Sequence, residues 1–199
     1  MQQKTETTSH GYLYNAWHHL CTINHHKWLV MKYCFRVGLY KQGLLHDLSK
    51  YSWEEFRIGV KYYQGNRSPH AGARDAEGFS TGWFHHKGRN KHNNDYWIDI
   101  KSGMDGTLVG HPMPTRYIVE MFCDRIAASK VYMKDKYTDR SALQYYEFTK
   151  PFVLMHEDSD AFLHKLLLML AEQGEDETLR WVKENVVKAR YRIGERGKY

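Results

Sequence analysis

The stretch HKWLVMKYCFRVGLYKQGLLHDLSKYS, residues 26–52, decides the fold and poses the functional question. Its first half continues a helical pattern. Ala16, Leu20, Ile23, Val30 and Cys34 recur at three- and four-residue spacing, which predicts a helix over 12–37 with Gly38 as its stop. Its second half sets His46-Asp47 at the end of the apolar run Gly43-Leu44-Leu45, on a short helix expected from about Lys41. A charged pair in that position needs partners: it either packs into the core or holds a metal.

Outward from this stretch the chain keeps reading as helix. Ser52-Trp53-Glu54-Glu55 is a capping box that opens a helix ending near Tyr63. Residues 64–69 are loop by composition, 70–79 are Gly- and Ala-rich and weakly patterned, and 81–101 are expected to be partly helical with an interruption near Gly88. Residues 103–114 carry Gly103, Gly106, Gly110, Pro112 and Pro114 and form a second loop. Ile118, Phe122 and Ile126 mark one face of a helix over 115–134. Asp158 or Ser159 caps a helix bearing Phe162, Leu166, Leu167 and Leu170, and Leu179, Val182, Val186 and Ala189 mark the last. No alternating strand pattern of any length appears. The expected fold is all-α, a single helical-bundle domain of roughly seven helices. Its core spans about residues 12–134, and a helical extension covers about 138–192.

Composition narrows the class. A chain of 199 residues with 26% charged and 42% hydrophobic residues suits one globular domain with a real core. The longest apolar run, Leu166–Ala171, is too short to cross a bilayer, and no signal-peptide pattern opens the chain. Three cysteines, Cys21, Cys34 and Cys123, lie in apolar, helix-like contexts and read as reduced thiols of a cytoplasmic protein. The net charge of +6 admits an anionic partner. With no basic tail and no nucleic-acid motif, a small anionic substrate is expected ahead of nucleic acid, with no membrane partner; pairing into a homodimer is compatible with the aromatic-rich helices.

Thirteen histidines are the outlying number. A divalent ion bound by nitrogen and oxygen needs imidazoles and carboxylates converging from several elements. The chain offers His26, the pair His46-Asp47, then His85, His86 and His92, and finally Asp124 inside an apolar helix. A buried, unpaired Asp124 would be costly, so a metal, Arg116 or Arg125 must satisfy it. Helical spacing does not choose between His25 and His26, whose side chains point roughly 100° apart, and an unbroken helix would set His85 on the face of His92. Lys50 follows Asp47 by three and would lie beside the metal to hold an anionic or polyhydroxy substrate. Lys87, Arg89, Asn90 and Lys91 flank the histidine segment and suit a phosphate clamp. His19, seven residues before His26, suits a supporting role; His10, His18, His70, His111, His156 and His164 read as packed or surface residues. Glu54 and Glu55 read as helix-start residues, Glu55 alternatively as a proton acceptor facing the site.

The order His, His-Asp, His, Asp resembles the HD superfamily of metal-dependent phosphohydrolases. The resemblance rests on His26 with Val30 four later, on LLHDLSK at 44–50 and on CDRIA at 123–127, and covers about 26–134. Within the superfamily the chain resembles a branch of bacterial and phage proteins of uncharacterised function that share HDLSKYSWEEF and the segment Trp83–His92. The resemblance implies a metal site of His26, His46, Asp47 and Asp124, with His26 preferred over His25 by the His-x-x-x-Val match. It implies a second metal held by His86 and His92 and bridged by Asp47, His86 being preferred to His85 where Gly88 breaks the helix. Asp47 and Lys50 would be catalytic, and Lys50, Lys87, Arg89 and Asn90 would bind substrate. The cofactor would be one or two divalent ions among Mn, Fe, Co, Ni, Mg and Zn, and the substrate a nucleotide or phosphorylated small metabolite. Two alternatives stand beside this: an HD-type di-iron oxygenase that cleaves a carbon bond with dioxygen, and a non-catalytic binding or regulatory protein on the same scaffold.

Overall fold

The computed structural model describes residues 11–103 and 105–191; His10, read as a packed or surface residue, lies outside them. The first helix, α1 (Tyr12–Val37), ends where Gly38 turns left-handed at φ 92°, a conformation glycine adopts without steric cost. There follow α2 (Tyr40–Leu45), a 3-10 turn over Leu48–Tyr51, α3 (Trp53–Lys61), α4 (Pro69–Glu77) and α5 (Thr81–Lys87). A hairpin of β1 (Ile98–Ile100) and β2 (Leu108–Gly110) leads to α6 (Thr115–Met133). The chain closes with α7 (Ser141–Thr149), α8 (Glu157–Gln173) and α9 (Glu175–Val182), the last running into a π-helical segment, Lys183–Lys188. The fold is all-α apart from that hairpin, and no described helix is long and apolar enough to cross a membrane.

Four local readings are corrected. Strands of three residues, paired Ile98 to Gly110 and Ile100 to Leu108, are too short to show the alternation that marks a strand in sequence. The weakly patterned 70–79 segment lies largely in α4, which Pro69 starts from a position where its missing N–H costs nothing. His156, not Asp158 or Ser159, caps α8, its ring accepting from the Asp158 N–H at 3.3 Å. Ser159 is instead fully buried and accepts from the Met113 N–H at 2.9 Å. The capping box at Ser52 is only half formed: its hydroxyl accepts from the Glu55 N–H at 3.4 Å, while the Glu55 carboxylate turns away to two histidines.

One continuous core joins both parts of the chain. Val30, Cys34 and Val37 of α1 and Ile118, Phe122 and Ile126 of α6 pack with Leu163, Leu166, Leu167 and Leu170 of α8 and Leu179 of α9. Burying each of these leucines contributes roughly 1.5–3 kcal/mol. Polar contacts fix the same arrangement. Glu175, at the head of α9, accepts from Tyr33 Oη at 3.2 Å and Arg36 Nη1 at 3.0 Å on α1, and from Lys130 on α6. The crossing of α1 over α6 is thus held from outside, and that crossing faces His26 towards Asp124.

Candidate metal centre

The HD pair does not ride on a helix. The α2 helix stops at Leu45, His46 takes an extended conformation, and Asp47 adopts the left-handed conformation at φ 52°. For a residue with a Cβ this costs on the order of 1–2 kcal/mol, with Asp among the more tolerant types. The reversal turns both side chains into the space between α1, α5 and α6. The 3-10 turn that follows folds Lys50 back, its Nζ 2.6 Å from Asp47 Oδ2. His26 reaches the same space from α1 and His86 from α5. The α5 helix ends at Lys87, so His92 arrives from the loop beyond it, and the shared face that favoured His85 does not exist.

The geometry separates the two oxygens of Asp47. Oδ1 lies 3.4 Å from His86 Nε2 and 3.4 Å from His92 Nε2. Oδ2 lies 3.3 Å from His46 Nε2 and 3.8 Å from His26 Nε2. Asp124 Oδ1 is 2.9 Å from His26 Nε2 and 3.6 Å from His46 Nε2, and its Oδ2 is 4.0 Å from His92 Nε2. Three groups offer converging donor atoms: His26-His46-Asp47-Asp124 and Asp47-His86-His92, which share Asp47, and His46-His92-Glu120 beside them. His26 Nε2, His46 Nε2 and Asp47 Oδ1 are buried and have no hydrogen-bond partner with acceptable geometry. An orphaned buried polar atom costs about 1–3 kcal/mol, so three that point into one space fit a divalent ion with nitrogen and oxygen ligands. Neither Arg116 nor Arg125 satisfies Asp124: the first lies over Tyr117 at 4.8 Å and the second over Tyr146 at 5.9 Å.

The two histidine ambiguities resolve. His25 is exposed, whereas His26 is buried in the cluster. His85 donates from Nδ1 to Glu55 Oε1 at 2.7 Å, and His86 from Nδ1 to Glu55 Oε2 at 2.8 Å, which leaves His86 Nε2 aimed at Asp47. Glu55 thus does turn inward, onto two imidazoles. Glu120, which the sequence reading passed over, does the same on the opposite side. Its Oε1 accepts from His46 Nδ1 at 3.0 Å and lies 3.3 Å from His92 Nδ1. A carboxylate on Nδ1 fixes the tautomer and leaves Nε2 for a metal. The signal was present, since Glu120 precedes Asp124 by four residues and so shares its face of α6.

The basic segment is arranged differently from the expected clamp. Asn90 is buried and committed to Ser49 Oγ and the His86 carbonyl, both at 2.8 Å, so it braces the end of α5. Lys87 lies 3.9 Å from Asp95 and over the Phe84 ring, and Arg89 is exposed and donates to the His85 carbonyl at 3.3 Å. Lys50 is the lysine whose Nζ meets a cluster carboxylate; Lys27 donates instead to the His46 backbone carbonyl at 2.8 Å.

Electrostatics set the charge states. Burial pushes the Asp47 carboxyl up, but His46, Lys50 and His86 hold it well below the usual carboxylate range. Burial opposes ionisation of Asp124 too, and His26 and His46 hold it well below. Burial and Lys50 together lower His26, against the opposing pull of Asp124. Burial also disfavours a charge on His46, yet Asp47, Asp124 and Glu120 raise it well above the ordinary imidazole value. Lys50 is raised against burial by Asp47 and Asp124 and stays protonated. Two more buried imidazoles line the surroundings. Burial, then the Lys50 charge, pushes His19 down to about 4, and burial, then His86, pushes His70 down to about 3. His70 is anchored by Ser80 Oγ at 3.0 Å.

No curated protein matches the chain. No solved structure matches it. A family model does match, over residues 15–169, a span that contains every residue of the cluster and reaches past α6 through most of α8. The chain belongs to that family, described as a family of unknown function (DUF5662).

Proposed function

We propose that the protein is a dinuclear, metal-dependent phosphohydrolase of the HD type, acting on a nucleotide or a phosphorylated small metabolite. One observation carries the reading: the two oxygens of Asp47 face different histidine pairs, His26 with His46 and His86 with His92, while Lys50 sits on the same carboxylate. His26, His46 and Asp124 would hold one ion, His86 and His92 the second, and Asp47 both. When bound, such ions supply Lewis acidity and a water that ionises near neutral pH.

The remaining work falls to the chain itself. Lys50, a quarter exposed at its side chain, meets the phosphoryl oxygens with a permanent positive charge. Its contact with Asp47 gives it the substrate's anion ahead of Lys87 and Arg89. Glu120 and Glu55 keep three ligand imidazoles turned inward. The left-handed backbone at Asp47 holds its carboxylate between the two histidine pairs.

The set of four histidines and two aspartates with a shared carboxylate also supports an HD-type di-iron oxygenase, and metal identity separates the two. The test is elemental analysis of protein purified without chelators, with phosphate release from a panel of phosphomonoesters and with Asp47→Asn as comparison. Asparagine tolerates the left-handed conformation, so the variant isolates the charge. Hydrolysis requires bound Mn, Co, Ni, Mg or Zn, phosphate release by the native protein, and loss of both ions in Asp47→Asn. Iron at about two per chain with dioxygen uptake and no phosphate release replaces it with the oxygenase. A native protein that takes up no metal defeats both.

A further inference from the structure

A cavity of about 520 Å³ opens between the start of α6 and the π-helical segment 183–188, and none of its lining residues belongs to the metal centre. Its wall is aliphatic: Leu39 and Val119 are buried, as is Val186, and Val187 is half-buried beside them. Its rim carries two exposed arginines, Arg116 and Arg190, and among the described residues no acidic side chain lines it. Neither arginine makes an ion pair among the described residues; Arg116 has one long hydrogen bond, 3.5 Å to the Tyr117 hydroxyl. The backbone shapes this wall in two unusual ways. Val186 and Val187 lie in the π-helical turns, a form that is rare and frequent at functional sites. Arg190, two residues past the segment, sits at φ 53°, a left-handed conformation that a non-glycine residue holds at a cost.

We propose that this cavity binds an aliphatic chain ending in a carboxylate. The volume falls in the range of small-molecule sites, the aliphatic wall suits hydrocarbon, and two guanidiniums with no carboxylate partner among the described residues suit a planar anion at the mouth, Arg116 resting over the Tyr117 ring. The charge at the mouth distinguishes this occupant from a neutral hydrocarbon.

The experiment is calorimetric titration of the full chain with decanoate and with decanol. Decanoate binds saturably at one per chain and decanol at least tenfold more weakly, the expected size for loss of a charge-assisted contact. Arg116→Gln combined with Arg190→Asn, which keeps a residue tolerant of the left-handed backbone, brings decanoate down to the affinity of decanol. Val187→Trp fills the cavity and abolishes both while the melting temperature is kept. Absence of saturable decanoate binding overturns the proposal. So does equal affinity for decanoate and decanol, or a Val187→Trp variant that still binds like the native protein.

Discussion

Replacing Glu120 by glutamine tests the architecture of the proposed metal centre at the point where its two halves meet. The carboxylate is nearly buried, at 6% exposure, and a single oxygen serves both His46 at 3.0 Å and His92 at 3.3 Å. These rings belong to different halves: His46 Nε2 faces Asp47 Oδ2 and Asp124, while His92 Nε2 faces Asp47 Oδ1. Glutamine keeps the volume and an acceptor but removes the charge that strengthens both N–H bonds; if the amide flips, its NH₂ opposes two donors. Loss of such an outer carboxylate costs about 10–100-fold in metal affinity, or about 1.4–2.8 kcal/mol. Because one oxygen serves both halves, both ions weaken together. Glu55→Gln touches one ligand only, His86, and weakens the second half alone. The assay is competition with a chromophoric chelator, read with elemental analysis and a melting curve of the metal-free variant. A Glu120→Gln protein that binds two ions with native affinity, or that loses only one, refutes the shared-clamp reasoning.

Three further outcomes are expected. His70 and His19 are neutral in the fold, at about 3 and about 4, against 6.5 unfolded, so the unfolded chain binds more protons between those values. Their contribution is therefore complete above pH 6.5 and disappears as pH falls towards 4 and 3, with a slope of about 1.4 kcal/mol per pH unit for each. Urea unfolding of metal-free His70→Asn between pH 7.5 and 5 should show the shallower dependence; an unchanged slope rejects it. Gly59→Ala would set a Cβ 1.9 Å from His19 Nε2, so it destabilises by about 1–3 kcal/mol, and most of that loss vanishes in a His19→Ala background when the double-mutant cycle is run by denaturation. Lys50→Met keeps the metal content but raises KM for a phosphomonoester about tenfold or more; native KM in that variant removes Lys50 from anion recognition.

The helices were legible because their apolar spacing is local: Ile23, Val30 and Cys34 announce α1, and Ile118, Phe122 and Ile126 announce α6. The choice of His26 over His25 was not legible in spacing, because it depends on how α1 rolls against α6, a property of two helices and their packing. The left-handed Asp47 left no mark either; a three-residue apolar run before His46 reads as continuing helix, and tertiary contacts overrode it. Glu120 carried a readable spacing to Asp124, but one more acid on a helix reads as solvated until its burial is known. The basic run at 87–91 reads as a clamp because charge is visible in sequence while partners are not; Asp95, Phe84 and the His85 carbonyl engage Lys87 and Arg89.

The acceptor role of Glu175 bears on how far the chain can be divided. One carboxylate takes donors from Tyr33 and Arg36 on α1 and from Lys130 on α6, on the same two helices that carry His26 and Asp124. A shortened protein ending after α6 would keep every candidate ligand yet release all three donors and uncover the apolar flank that α8 and α9 close. The stretch beyond α6 therefore behaves as a girdle on the α1–α6 pair of this chain, one that reaches past the residues the family model matches.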